Sequence, residues 1–314
     1  MLRTALVAAV LAACGPAPRP APLSSTAAPD QYVVWYEVPT PATGDEPATV
    51  TYRSARLDAD GKVLGERDGA ILVANNAVWT VARRAHTEPA PSCKELGDPD
   101  GDPEPGSASL EILELVEQGG ARTVPLTQRA LPHDMVAAVH EIDASNAIVA
   151  SLGPYVFVRG ATSDYACGAH PSASGTAAII DARTGREVIG LSKDEQAALQ
   201  AAANAAVDAD IGGMGDGDAV RFDEGKAAYA ATEPSLEGGA LHAKHLWYAS
   251  TCYACGNGEW DSYTWGTWVE SRVWPKALTE VTAIPPAVGA WIATHGGAVG
   301  VSWADPGLAA RAVP

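Results

Sequence analysis

Period-two alternation of apolar and polar residues, broken at short intervals by turn-forming pairs, is the feature that most restricts what this chain can fold into. Its clearest stretch is Leu152–Val188, LGPYVFVRGATSDYACGAHPSASGTAAIIDARTGREV. Tyr155–Arg159 alternates as a half-buried strand does, because successive strand side chains point to opposite faces of a sheet. A second β-branched run, Thr176–Asp181, ends in Asp181-Ala182-Arg183-Thr184-Gly185, where Asp and Gly supply turn chemistry. Between them lies a polar loop, Tyr165–Pro171, that carries Cys167 and His170. The unit reads strand, cysteine loop, strand, tight turn, strand.

Similar units recur. Asp58–Gly61, Asn75-Asn76 and Gln118-Gly119-Gly120 each separate two alternating runs, as hairpin turns do. Near the C-terminus, Ala240–Ser250 and Tyr263–Val281 flank Tyr253-Ala254-Cys255-Gly256, which echoes Tyr165-Ala166-Cys167-Gly168. Val288–Trp303 reads as two further strands around His295-Gly296-Gly297. The expected fold is therefore mainly β: antiparallel hairpin repeats that either close like a propeller or lie side by side as an open sheet. One segment departs from the pattern. Lys193–Val207 is rich in strong helix formers, and Ser192 with Glu195 makes a capping box, so a helix is expected near 192–207. A weaker helix is expected over His133–Ile142.

The N-terminus bears on location. Met1-Leu2-Arg3 is a short basic start, Thr4–Val10 a short apolar run, and Leu11-Ala12-Ala13-Cys14 places small residues before a cysteine. The apolar run is much shorter than the ~20 residues that a spanning helix needs. These residues resemble a bacterial lipoprotein signal. The resemblance implies cleavage after Ala13, a lipid on Cys14, and an exported protein anchored in the cell envelope, at the outer membrane or the periplasmic face. Residues 14–30, rich in Pro and Ala, then form a disordered tether, and 31–314 form a mainly β globular domain with repeated hairpin units. The formal net charge of −17 argues against a nucleic-acid partner, which needs clustered Lys and Arg.

With Cys14 lipidated, Cys93, Cys167, Cys252 and Cys255 remain, and an oxidising compartment favours two disulfides among three possible connectivities. Cys252-Tyr253-Ala254-Cys255 has redox-motif spacing, yet Gly256-Asn257-Gly258 follows where a thioredoxin-like motif would start a helix. A zinc site would need further ligands, with Cys93, Cys167 or His170 as suppliers. Haem attachment would need a histidine after Cys255, where Gly256 stands. No cofactor is expected.

Binding candidates come from residue chemistry. His170 lies in the cysteine loop without a nucleophile motif beside it. Trp260, Tyr263, Trp265 and Trp268 crowd one short segment among polar residues, as a glycan or peptide platform would, or as cross-strand core pairs would. Asp98, Asp100 and Asp102 are spaced like calcium ligands, but Pro103 stands where an EF-hand loop needs Gly and Ser109 where it needs Glu. They form a weak calcium candidate or a solvated acidic loop.

Gly168-Ala169-His170-Pro171, then Asp181–Glu187 and the helix after it, together resemble the RsiV-like ectodomain found on lysozyme-sensing anti-sigma factors and some peptidoglycan deacetylases. The likeness covers about fifty residues, and Cys167 stands where those proteins usually have glycine. It implies an extracytoplasmic α+β module that binds something at the cell wall. The expectation is a non-enzymatic envelope lipoprotein that binds or senses a wall-associated protein or glycan. The alternatives are a structural envelope lipoprotein, or a hydrolase or redox enzyme.

Overall fold

A computed structural model of the chain describes residues 31–41, 49–168, 170–212, 220–221, 226–235, 240–252, 255–281, 284–295 and 299–314. The expected signal, Cys14 and the expected tether lie outside these residues, as do Ala169 of the cysteine loop and Tyr253-Ala254 between Cys252 and Cys255.

The chain enters through β1 (Gln31–Thr40), β2 (Thr49–Asp58) and β3 (Val63–Asp68). A first meander follows, with β4 (Ile71–Ala74), β5 (Ala77–Ala90), β6 (Gly106–Glu117) and β7 (Thr123–Pro125). The second comprises β8 (Glu141–Leu152), β9 (Tyr155–Tyr165), β10 (Ser172–Asp181) and β11 (Arg186–Val188). In each meander a cysteine loop joins two long antiparallel strands, β5 to β6 and β9 to β10. The turns use the expected chemistry: Asn75 and Asn76 have φ of 53° and 57°, and Gly61, Gly119 and Gly185 also have positive φ.

β8 is the seam of a twelve-stranded sheet. Its first half runs parallel to β6 (Ser107–Leu110 against Glu141–Ala144), and its last residues run parallel to β16 (Val299–Ala304). One edge of β8 thus serves two arms, β6-β5-β4 and β16-β1-β2-β3, while the other edge pairs β9. The sheet is open, neither a propeller nor a barrel, and these two parallel pairings depart from a purely antiparallel array. A four-stranded antiparallel sheet holds β12 (Val220–Arg221), β13 (Ala228–Ser235), β14 (His242–Thr251) and β15 (Thr264–Ser271).

Four helices cover these sheets among the described residues: α1 (His133–Val136), α2 (Lys193–Gly212), α3 (Pro286–Ala293) and α4 (Pro306–Ala312). None is long and apolar enough to cross a membrane. The capping box forms as expected: Glu195 accepts from the Ser192 N–H at 2.7 Å, and Ser192 Oγ accepts from the Glu195 N–H at 3.3 Å. Leu199, Ala203 and Val207, one turn apart, lay α2 on Trp247 and Ala249 of β14.

Two expectations are corrected. The helix over His133–Ile142 stops at Val136, because Glu141 and Ile142 pair with both β6 and β9, and those ladders outweigh a weak helical preference. The stretch Val288–Trp303 is α3 followed by β16, not two strands. Short apolar runs are ambiguous in period, and Pro286 at the first helical position favours the helix.

The core has a layer on each face of the large sheet. On one face Tyr32, Val34, Leu57, Leu152, Phe157 and Ile179 pack against Leu278, Val288 and Ile292. On the other, Trp35, Val156, Val158 and Ile180 pack against Trp79, Leu113 and Leu115 of the first meander. Trp35 is buried, and its Nε1–H donates to Ser151 Oγ at 2.7 Å.

Candidate binding groove

A groove of about 470 Å³ runs over the second-meander strands where β6 and β7 border them. Its floor is made of inward-facing positions: Leu110, Ala144, Val158, Ala178 and Ile180 give an apolar bed, and the buried Gly160 leaves room for two polar side chains to close over the backbone. A Cβ at Gly160 would lie 2.5 Å from Thr176 Oγ1 and 2.7 Å from Asn146 Oδ1, so these two oxygens converge over the glycine. Asn146 is fixed by two bonds to Glu111: its backbone N–H donates to the carboxylate at 2.9 Å and its Nδ2 to the Glu111 carbonyl at 2.6 Å. With Nδ2 engaged, Oδ1 faces the groove as an acceptor. Glu111 is held in turn by Arg83 at 2.9 Å.

A smaller recess of about 180 Å³ shares Val158, Ala177, Ala178 and Glu187 with the groove and continues to Tyr229–Glu233 of β13. The exposed Glu187 lines both. Oxygen acceptors around an apolar bed, with a carboxylate at one end, suit an extended ligand that donates N–H bonds and carries a basic group. Among the described residues no aromatic ring lines the groove.

The sequence-predicted aromatics lie elsewhere, and they do not share one surface. Period-two alternation on β15 sends Trp265 and Trp268 to opposite faces of the small sheet. Trp265 packs against the α2 core, and its buried Nε1 has no hydrogen-bond partner among the described residues. Trp268 lies beneath Arg159 and Lys244, 5.0 and 4.6 Å from its ring centre, and its Nε1–H donates to Glu259 at 3.1 Å. Trp260 stacks on Tyr248 with centroids 6.3 Å apart and sits against Gly175 of β10. Tyr263 is exposed. Packing therefore takes up three of the four rings expected to form a platform, Trp260 and Trp268 between the sheets and Trp265 beneath α2.

The cysteines bond as Cys93–Cys167 and Cys252–Cys255, with Cα separations of 5.5 and 5.1 Å. The first bond follows from topology: β6 and β8 begin at the same end of the sheet, where β9 finishes, so the Cys93 and Cys167 loops meet there. The segment after Cys255 reaches the same end, since Ser262 N–H donates to the Ala173 carbonyl at 2.9 Å and Ser262 Oγ accepts from Ala173 N–H at 2.7 Å. The histidine beside the first disulfide is His140, whose sequence position gives no hint of it. His170 is exposed and is not part of that cluster. In the acidic loop, Asp98 and Asp102 accept from the N–H groups of Asp100 and Glu104 at 3.1 and 2.9 Å, so these carboxylates shape their own turns. They and Asp100 are absent from the one metal-capable cluster among the described residues.

The groove residues Asn146, Thr176 and Gly160 belong to no chemical signature, and Glu187 closes the Asp181–Glu187 turn stretch without standing out as a binding residue. One signal existed: Gly160 stands inside a strand, where glycine marks a close backbone approach or a site kept clear of side chain.

These features define an open, two-sheet, mainly β protein with a polar-rimmed groove. No protein-family model and no curated protein matches the chain. Among solved structures, the chain is similar to the crystal structure of a member of the DUF3298 family from Bacteroides fragilis, at 10% identity over 69% of this chain and 98% of the other, with a TM-score of 0.38.

Proposed function

We propose that this protein is a non-catalytic, lipid-anchored envelope protein that recognises a basic, wall-associated protein through the groove around Gly160. The observation that carries the reading is the convergence of Asn146 Oδ1 and Thr176 Oγ1 over a glycine with no side chain. A protein segment suits this surface better than a glycan. Sugar rings stack on aromatic faces, and this bed is built of small aliphatic residues. Glu187 and the overall charge of −17 favour a cationic partner and fast, salt-sensitive association. The lysozyme-like proteins implied by the likeness of the cysteine loop are of this chemistry, so lysozyme is the first probe.

The test is binding of lysozyme and of peptidoglycan fragments at two salt concentrations, for the native chain, Gly160→Leu and Thr176→Lys. Thr176 is exposed, so its variant keeps the fold if the bulkier Gly160 change does not. The expected result is lysozyme binding that weakens with salt and falls at least about tenfold, 1.4 kcal/mol, in either variant. Binding only to the glycan fragments, or equal binding by native chain and both variants, would overturn the groove assignment. Binding to neither probe would leave a structural envelope lipoprotein.

A further inference from the structure

We propose that Cys93, Cys167 and His140 form a thiol-gated site for one soft or borderline metal ion, open to Zn²⁺ or Cu⁺ only when the disulfide is reduced. Both sulfurs and a ring nitrogen of His140 lie within 4.8 Å of one another. Two thiolates and one imidazole, with a further position free, is a donor set that such ions favour over Mg²⁺ or Ca²⁺.

His140 is built into position. Its backbone N–H donates to the Tyr165 carbonyl at 2.8 Å, and its carbonyl accepts from Ser107 N–H at 3.0 Å. Its Nδ1 faces the Pro91 carbonyl oxygen at 3.1 Å. A carbonyl only accepts, so Nδ1 carries the proton and the ring lone pair lies on Nε2, the arrangement that second-shell carbonyls impose on ligating histidines. That leaves Nε2 as the nitrogen able to ligate, on a residue that is 8% exposed. A side chain at Gly106 would collide with the His140 backbone carbonyl and then with Nδ1, so glycine is what lets His140 lie this close to β6. Cys93 is 4% exposed, and the half-buried Cys167 provides the entrance. Cys167 also holds φ at +58°, an uncommon value for a residue with a side chain, and the bond to Cys93 pins it there.

As a disulfide, the sulfurs are poor ligands. A thiol reductant changes that: two reductant thiols become a disulfide, and Cys93 and Cys167 each gain an electron and a proton. A divalent ion then displaces both protons, leaving two sulfur–metal bonds and one nitrogen–metal bond.

The full chain carrying Cys252→Ser and Cys255→Ser isolates the site from the other cysteine pair. After anaerobic reduction it is titrated with Co²⁺, then Zn²⁺, following thiolate-to-cobalt charge-transfer absorption, with circular dichroism as the check on the fold. The expected result is a single saturable site after reduction and none before, with Zn²⁺ displacing Co²⁺. In His140→Ala the affinity falls at least about tenfold, and in Cys93→Ser/Cys167→Ser the absorption is lost. A reduced chain that binds no cobalt, unfolds on reduction, or binds it equally well without His140 would overturn the proposal and leave a purely structural disulfide.

Discussion

Arg159 of β9 and Glu233 of β13 meet at 2.9 Å and so join the two sheets through a carboxylate that is almost wholly buried. Lys244 of β14 reaches the other oxygen of Glu233 at 3.1 Å, and both cations cover the Trp268 ring. A buried charge between two partners tolerates the loss of neither, because what remains is left unpaired away from water.

Glu233→Ala should therefore destabilise the chain. Full burial of all partners would make the loss about 3–5 kcal/mol. Arg159 and Lys244 retain about a third of their exposure, so hydration offsets part of it and about 2 kcal/mol is expected. Denaturant unfolding of the single variants and of Glu233→Ala/Arg159→Ala measures it. A loss under about 0.5 kcal/mol would show that the clasp contributes no more than a surface pair does.

His245 predicts a pH dependence. It is fully buried; its Nε2 lies 3.0 Å from Ser271 Oγ and 3.1 Å from the Val273 carbonyl, which only accepts, so Nε2 carries the proton and Nδ1 accepts from Thr232 Oγ1 at 2.8 Å. Burial pushes its pKa down from 6.5 to about 4, against smaller upward effects of the Val273 carbonyl and Glu195. The unfolded chain thus takes up the proton first, and stability is lost as pH falls from 6.5 towards about 4. The loss is on the order of 3 kcal/mol. Unfolding free energies across that range should show the slope in the native chain and lack this component in His245→Gln.

The two disulfides should contribute unequally. Cys93–Cys167 closes a separation of 74 residues, against 3 for Cys252–Cys255. On the chain-entropy view the first stabilises by about 4 kcal/mol and the second by about 2. Paired Cys→Ser variants, compared by denaturant midpoint, should rank in that order. Thiol counting on the denatured, unreduced native protein should find none of these four cysteines free.

Lipid attachment makes its own prediction. If Cys14 carries the anchor, Cys14→Ser leaves the protein unprocessed or shed from membranes, since no described helix can span a bilayer. Membrane fractionation decides it, and normal retention of the variant would refute the anchor.

The strands, their turns and the capped helix were legible because their causes are local. Alternation over Tyr155–Arg159, positive φ at Asn75-Asn76 and the Ser192–Glu195 box each depend on a few consecutive residues. Local order also revealed the meander with its cysteine loop. Local reading failed over Val288–Trp303, where an eight-residue apolar segment fits either period; Pro286 favours a helix start, and packing of Val288 and Ile292 against the core completes it.

The tertiary structure alone decided everything that depends on pairing between distant residues. Sequence gives each strand two edges and no partner, so the double use of β8, by β6 at one end and β16 at the other, could not be read in advance. That seam brings Cys93 to Cys167 and sets His140 beside them, across separations that carry no local signature. Around Gly160 the cause is the nearer pairing of β8, β9 and β10, which sets Asn146 on one side of the glycine and Thr176 on the other. Alternation alone puts Trp265 and Trp268 on opposite faces of β15, but the fold alone decided that α2 covers the one and that Arg159 and Lys244 cover the other.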